Sequence, residues 1–150
     1  MTVDHPRDLL STSSSLTLVG ATRVLEAALA QARSMRQQFC IAVTDPSGEP
    51  IVTLRMDGAP RISAGIALNK AYTVCGFGGM PTESWNTILE RDQSLARGIV
   101  HTNRLVVFGG GVGVRIAGAL VGAIGVSGGT TDADIEVATA GAASVEHASA

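Results

Sequence analysis

The most informative segment of the chain reads Ala119-Leu120-Val121-Gly122-Ala123-Ile124-Gly125-Val126-Ser127-Gly128-Gly129-Thr130-Thr131-Asp132-Ala133-Asp134. Its first eight residues are all apolar or glycine, a pattern typical of a buried strand. Glycines then permit a tight turn, and the run 131–134 is similar to a capping box that opens a helix. The segment therefore predicts a buried strand that runs through a glycine turn into a capped helix.

The same segment contains a match to G-x-S-x-G, the signature of serine hydrolases, centred on Ser127. A serine nucleophile needs a histidine that is oriented by a carboxylate. Among the residues that follow, Asp132 and His147 would lie on one helix about 15 residues apart, which is ~22 Å at 1.5 Å per residue. The two side chains cannot meet within one subunit, so the sequence favours a structural glycine turn.

Hydrophobic periodicity on both sides of this segment predicts the remaining elements. They are a helix from residue 17, strands at 39–43 and 51–54, helices near 62–74 and 82–89, strands at 104–108, 112–116 and 119–126, and a last helix from 131. Because hairpins join most of these strands, we expect an α+β layered domain with a central, mostly antiparallel five-stranded sheet covered by helices. Residues 1–15 are predicted to be a flexible tail, and residues 16–150 a single domain.

Composition excludes several classes of function. The formal net charge is -2 with both signs mixed, so no basic patch indicates nucleic-acid binding. No run approaches the roughly 18 apolar residues of a membrane span, and the first eight residues do not form a secretory leader. Cys40 and Cys75 lack zinc-site spacing and are expected to be buried, reduced thiols. We therefore expect a cytoplasmic protein that has no nucleic-acid or membrane partner.

One candidate ligand site combines Arg55, Asp57, Arg61, Ser63 and Lys70. Arginine binds a carboxylate or propionate through its planar fork, and lysine binds it as a point charge. Lys70 is the only lysine in the chain and falls on the apolar side of a predicted helix. It could extend to the surface, pair with a carboxylate such as Asp57, or anchor a ligand or a subunit contact.

Two further features could contribute chemistry. His101, just before a predicted strand, is a candidate general base or axial ligand to haem iron, although a loop histidine is more often simply exposed. Gly110 and Gly111 could present backbone N–H groups to an anion, or they could form only a tight turn between strands.

The order of several motifs is similar to that of a known family. The motifs are Leu54-Arg55-Met56-Asp57-Gly58-Ala59, Ser63, Ala67-Leu68-Asn69-Lys70-Ala71-Tyr72-Thr73, Phe77, Pro81-Thr82, Gly109-Gly110-Gly111-Val112, Gly122-Ala123-Ile124-Gly125-Val126-Ser127-Gly128, Asp132 and Asp134. Together they resemble the GlcG/HbpS family of small haem-binding or haem-degrading proteins (DUF336-like), over about residues 17–146. The resemblance implies a profilin-like fold, assembly into dimers or larger homo-oligomers, and haem as a possible cofactor.

Two functions from different classes follow from these observations. The first is an oligomeric protein that binds haem or another small ligand, in which Arg55, Arg61 or Lys70 pairs with propionates and His101 is the possible metal ligand. The second is a cofactor-independent isomerase, lyase or hydrolase acting on a small oxygenated carboxylic acid. In that enzyme an arginine would anchor the carboxylate, and Lys70, Glu83 or His101 would transfer a proton.

Overall fold

Five α-helices and four β-strands make up residues 5–148, the part of the chain that this computed structural model describes. They are α1 Leu18–Ser34, β1 Cys40–Thr44, β2 Pro50–Arg55, α2 Ser63–Gly76, α3 Trp85–Arg91, α4 Gln93–Gly98, β3 Gly111–Ile116, β4 Ala119–Ser127 and α5 Thr131–Glu146. Short 3-10 helices lie at Pro6–Leu9, Thr82–Ser84 and Ile99–His101. The element order agrees with the sequence prediction except between α3 and β3.

The four strands form one sheet in the order β2-β1-β4-β3, and each neighbouring pair is antiparallel. In the central pair, Cys40 of β1 lies opposite Ser127 of β4, and Thr44 lies opposite Ala123. The expected α+β class with an antiparallel sheet is therefore confirmed. The expectation of five strands is wrong, and the profilin-like description stays a prediction.

The missing strand is the one expected at residues 104–108, which have no strand structure. Arg104 has a φ of 63°, in the left-handed region that interrupts an extended chain. The amide of Val106 donates to the Thr73 hydroxyl at 3.0 Å, and that hydroxyl lies 3.3 Å from the carbonyl oxygen of Arg104. Backbone groups that a strand would direct to a neighbouring strand are thus bonded to a side chain of α2.

Helices cover both faces of the sheet. Helices α1 and α5 pack together on one face, over the core side chains of Phe39, Ile41 and Val126. Helix α2 covers the other face. It lies directly on β4 at Gly125, where any side chain would overlap the carbonyl oxygen of Ala67, so the close approach requires glycine at this position. Among residues 5–148, no helix has both the length and the apolar character that crossing a membrane would require.

The N-terminal residues lie outside this layered arrangement. The side chains of residues 5–15 are all exposed, although Pro6–Leu9 form one 3-10 turn where the sequence predicted no structure. Leu16 is the first buried residue, and its amide donates to the carbonyl oxygen of Val121 at 2.8 Å. Residues 1–4 of the predicted tail and residues 149–150 of the predicted domain lie outside the described residues.

Candidate functional site

An open cavity of about 380 Å³ lies where the end of α1 meets the end of β2. Its lining consists of Leu29, Arg33, Gln38, Leu54, Arg55, Met56 and Asp57. The short connection from α1 to β1 places Arg33 beside the hairpin, and the antiparallel register places Arg55 opposite Cys40, at the start of β1. We call this set of residues the arginine cavity.

The arginine cavity combines cations with an apolar surface. Within residues 5–148, neither Arg33 nor Arg55 has a carboxylate within ion-pair distance. Met56 and two leucines supply the apolar part of the lining, and the Met56 sulfur accepts the Phe39 amide at 3.4 Å. Two free guanidinium groups beside apolar side chains suit an amphiphilic acid, because arginine binds carboxylates bidentately.

Lys70 lies elsewhere, fully buried at 0% exposure between α2 and the start of α5. Its Nζ donates to the carboxylate of Asp134 and to the carbonyl oxygen of Val126, both at 2.8 Å. The second carboxylate oxygen of Asp134 accepts the Gly129 amide at 3.0 Å. The ring of Phe108 lies over Nζ at 4.8 Å, so the partner of Lys70 is Asp134 and not the Asp57 considered from the sequence.

The electrostatics of this pair are governed by its burial. Burial lowers the pKa of the Lys70 ammonium, and the hydrogen bond and charge of Asp134 oppose that shift. Burial likewise raises the pKa of the Asp134 carboxyl, against the influence of Lys70. Each charge is therefore stable in the core mainly because the other is present.

The glycine turn before β3 packs closely on this pair. Gly110 has a φ of 121°, and a Cβ at that position would lie 2.6 Å from the Lys70 nitrogen. The amide of Gly111 donates to the Thr82 hydroxyl at 2.9 Å. One of the two N–H groups expected to hold an anion is thus already bonded within the protein, and the ligand-binding role of both glycines stays a prediction.

The other residues selected from the sequence are dispersed. His101 ends the 3-10 helix Ile99–His101, and Glu83 lies in the 3-10 helix Thr82–Ser84; both side chains are exposed. Arg61 is exposed just before α2, whereas Ser63 is buried as its first residue. None of these four lines the arginine cavity. Their catalytic, metal-binding or ligand-binding roles stay predictions.

No group of three or more histidine, cysteine, aspartate or glutamate side chains within residues 5–148 could hold a metal ion. Such a cluster is the usual requirement for a site in which protein ligands alone hold the metal. The finding does not concern haem iron, which needs only one or two axial ligands from the protein.

Sequence reasoning missed Arg33 and Asp134. Arg33 lies off the apolar stripe of α1 and is exposed, as helical periodicity predicts. The periodicity does not indicate that the short loop to β1 also brings this end of the helix beside the hairpin. The sequence predicts that Asp134 belongs to a helix cap, but Thr130 is the N-cap, with its hydroxyl accepting the Ala133 amide at 3.2 Å. Asp134 is therefore free to turn towards Lys70.

This architecture places the chain among single-sheet α+β domains. Within that class, residues 16–143 match the family described as Haem degrading protein HbpS-like, and the chain belongs to that family. The resemblance to GlcG/HbpS proteins is thereby confirmed.

Individual relatives agree with this assignment. HbpS of Streptomyces reticuli, crystallised as a double mutant, is 33% identical, with a TM-score of 0.82 over 98% of this chain and 98% of that chain. The Klebsiella pneumoniae protein ORFY, of the DUF336 family, is 29% identical, with a TM-score of 0.86 over 96% of this chain and 97% of that chain. An uncharacterised 15.0 kDa protein of Citrobacter freundii is 33% identical over 121 residues, which are 81% of this chain and 85% of that protein. A complex of PduOC with haem shares the fold alone, at 24% identity and a TM-score of 0.78 over 87% of this chain and 95% of that chain.

Proposed function

We propose that this chain is an oligomeric, cytoplasmic protein of the GlcG/HbpS type that binds haem or a similar small ligand. The arginine cavity is the observation that carries the proposal. There, Arg33 and Arg55 would pair with the ligand's carboxylates while the apolar lining contacts its hydrophobic body. The family description and the likeness to HbpS support haem as the first ligand to test.

The residues of the arginine cavity fit the outer part of a haem group. Haem has an apolar ring with two propionates on one edge, and the cavity offers two guanidinium groups beside leucine and methionine side chains. Bound haem would supply an iron centre whose chemistry depends on its axial ligands. Met56 is the one lining residue with a side chain of the kind that commonly ligates haem iron, and its thioether would have to release the Phe39 amide to bind the iron. His101 stays an alternative from outside the cavity.

The proposed compartment and assembly state have separate support. Cys40 and Cys75 are free, and burial raises the pKa of both thiols, which favours the unreactive, protonated form. Free, reduced cysteines are typical of the cytoplasm. Exposed apolar side chains such as Leu18 and Val19 support self-association.

The enzyme interpretation stands second, because no observation brings its proton-transfer residues together. Within residues 5–148, no hydrogen bond or ion pair joins Lys70, Glu83 or His101 to one another. Lys70 is buried against Asp134, whereas the other two are exposed. A small carboxylic acid could still bind at Arg55, so small acids belong in the test.

Haem titration of the purified chain, followed by its Soret band, tests the proposed function. We expect a saturable band shift for the wild type, weakened about tenfold or more in Arg33→Gln and in Arg55→Gln, because each loses a charge-assisted bond. Arg97→Gln, which changes an exposed arginine on α4 outside the cavity, is the matched control and should titrate like the wild type.

Each outcome of this titration has a defined meaning. A flat wild-type titration would contradict haem binding, and calorimetry with glycolate would then test the small-acid alternative. Equal affinities in the wild type and both cavity variants would show that haem binds away from the arginine cavity.

A further inference from the structure

The first two turns of α1 present an apolar surface to solvent. Leu18 is 63% exposed and Val19 is 76% exposed, and with Thr22, Arg23 and Glu26 they line an open groove of about 440 Å³. The opposite side of the same helix is buried in the core. We call this surface the α1 groove. Exposed apolar side chains grouped in this way are typical of a contact surface.

A second apolar group lies nearby in the sequence, on the exposed N-terminal residues. Leu9 and Leu10 are 71% and 74% exposed, and none of the side chains of residues 5–15 is buried. The 3-10 turn at Pro6–Leu9 is held locally, because the His5 amide donates to the Asp8 carboxylate at 3.1 Å. We call residues 5–15 the arm. It is preformed at its tip and anchored at its base, where the next residue, Leu16, is buried.

The arm and the α1 groove are complementary in character and charge. The leucine pair of the arm is preceded by Arg7 and Asp8, while the apolar pair of the groove is followed by Arg23 and Glu26. Each surface thus offers two apolar side chains and one charge of each sign. The arm leaves the groove of its own chain uncovered, since all four apolar side chains are more than 60% exposed.

We infer that the arm of one copy covers the α1 groove of a second copy, and that the second copy returns the contact. Because one chain carries both complementary surfaces, a two-fold pair satisfies both contacts at once, as in an exchange of segments between protomers. Asp8 would face Arg23 of the second copy, and Arg7 would face its Glu26. This inference rests on the self-association in the proposed function and is independent of haem.

Mass measurement by sedimentation velocity tests the exchange on the full chain. Leu9→Ser/Leu10→Ser and Leu18→Ser/Val19→Ser should each weaken association more than about tenfold, since each removes two apolar side chains from the contact. Both pairs of side chains are exposed within one chain, so circular dichroism should not change. Val100→Ser, which alters a 44% exposed valine elsewhere, is the control and should leave the mass unchanged.

Two further measurements test whether the arm of one copy contacts the α1 groove of the other. An equimolar mixture of the arm variant and the groove variant should associate more tightly than either alone, because one intact contact is restored. Arg7→Glu and Glu26→Arg should each weaken association, and the double variant should restore it; this swap keeps the Asp8 carboxylate that holds the turn of the arm.

The outcomes separate this inference from the proposed function. If the groove variant dissociates but the arm variant does not, the groove pairs with something else and the exchange is overturned. If neither variant changes the mass of the oligomer, the exchange is overturned but the proposed self-association is not. A monomeric wild type overturns both the exchange and the proposed self-association, while haem binding is decided by its own titration.

Discussion

Lys70 carries a positive charge where water does not reach, and two acceptors hold it there. The carboxylate of Asp134 and the carbonyl oxygen of Val126 both lie 2.8 Å from its nitrogen. A buried ion pair adds little net stability over apolar side chains, but removing one partner leaves the other charge unpaired in the core. The stability of the protein should therefore be more sensitive to losing one partner than to losing both.

Replacing Lys70 alone tests this argument. Lys70→Met leaves the buried carboxylate of Asp134 without its cation, and we expect a loss of about 3–5 kcal/mol in the free energy of unfolding. Urea denaturation measures the loss. The double variant Lys70→Met/Asp134→Leu should recover most of it, and a double variant no more stable than the single one would contradict the argument.

The same variant should acquire a characteristic pH dependence. Without Lys70, only the hydrogen bond from the Gly129 amide still opposes the effect of burial on Asp134, so its pKa in the folded protein rises further above that of the unfolded chain. The folded protein then binds more protons between those two pKa values, so its stability is lost as the pH rises through that interval. The gap in unfolding free energy between wild type and Lys70→Met should widen from acid to neutral pH, and a constant gap would disprove this explanation.

Three residues show which parts of the candidate site could be predicted from the sequence and which could not. Arg55 is a candidate ligand residue in the sequence and lines a cavity in the structure. Its position could be predicted because the sequence indicates clearly where the second strand of the hairpin ends. Helical periodicity predicts correctly that Arg33 is exposed, but it does not show which strand the end of the helix reaches, so the place of Arg33 in the cavity could not be predicted. The importance of Lys70 could be predicted from its place on an apolar face, whereas its partner, 64 residues away in sequence, depends on tertiary packing.

At the scale of elements, the segment between α4 and β3 departs most from expectation. Its apolar, β-branched residues predict a strand, but the positive φ of Arg104 and the bonds to Thr73 hold it against α2 instead. The guanidinium of Arg104 also stacks on Tyr72 at 3.8 Å and donates to Asn69 at 3.1 Å. Side chains of one helix therefore override the strand propensity of the segment, which periodicity along the chain does not reveal.

Thr73→Val tests this explanation with a side chain of nearly the same shape. The variant removes the buried acceptor of the Val106 amide, so we expect a loss of about 1–3 kcal/mol in the free energy of unfolding. Hydrogen exchange should show faster exchange of the Val106 amide. Thr87→Val, an exposed change on α3, is the control, and unchanged exchange at Val106 would mean that the segment is held by other contacts.

At the scale of the whole molecule, the described features occupy separate regions of one sheet domain. The arginine cavity lies at the junction of α1 and β2, the Lys70–Asp134 pair lies between α2 and α5, and the α1 groove lies on the outer side of α1. A ligand in the cavity would contact two elements that are distant in sequence, and would therefore hold α1 against the hairpin. Binding at that junction should stabilise the fold as a whole.

Thermal unfolding with and without haem tests that coupling. A ligand that binds only the folded chain stabilises it by about 2.7 kcal/mol at a hundredfold excess over Kd, which corresponds to a rise of roughly 5–10 °C in Tm for a domain of this size. In Arg33→Gln/Arg55→Gln, the rise at the same haem concentration should be at most half as large, because affinity falls while the apolar lining remains. Differential scanning calorimetry measures both shifts. Equal shifts in the two proteins would mean that haem stabilises the chain through a surface other than the arginine cavity. A fall in Tm would mean that haem binds the unfolded chain more tightly than the folded one, through non-specific contacts with apolar residues.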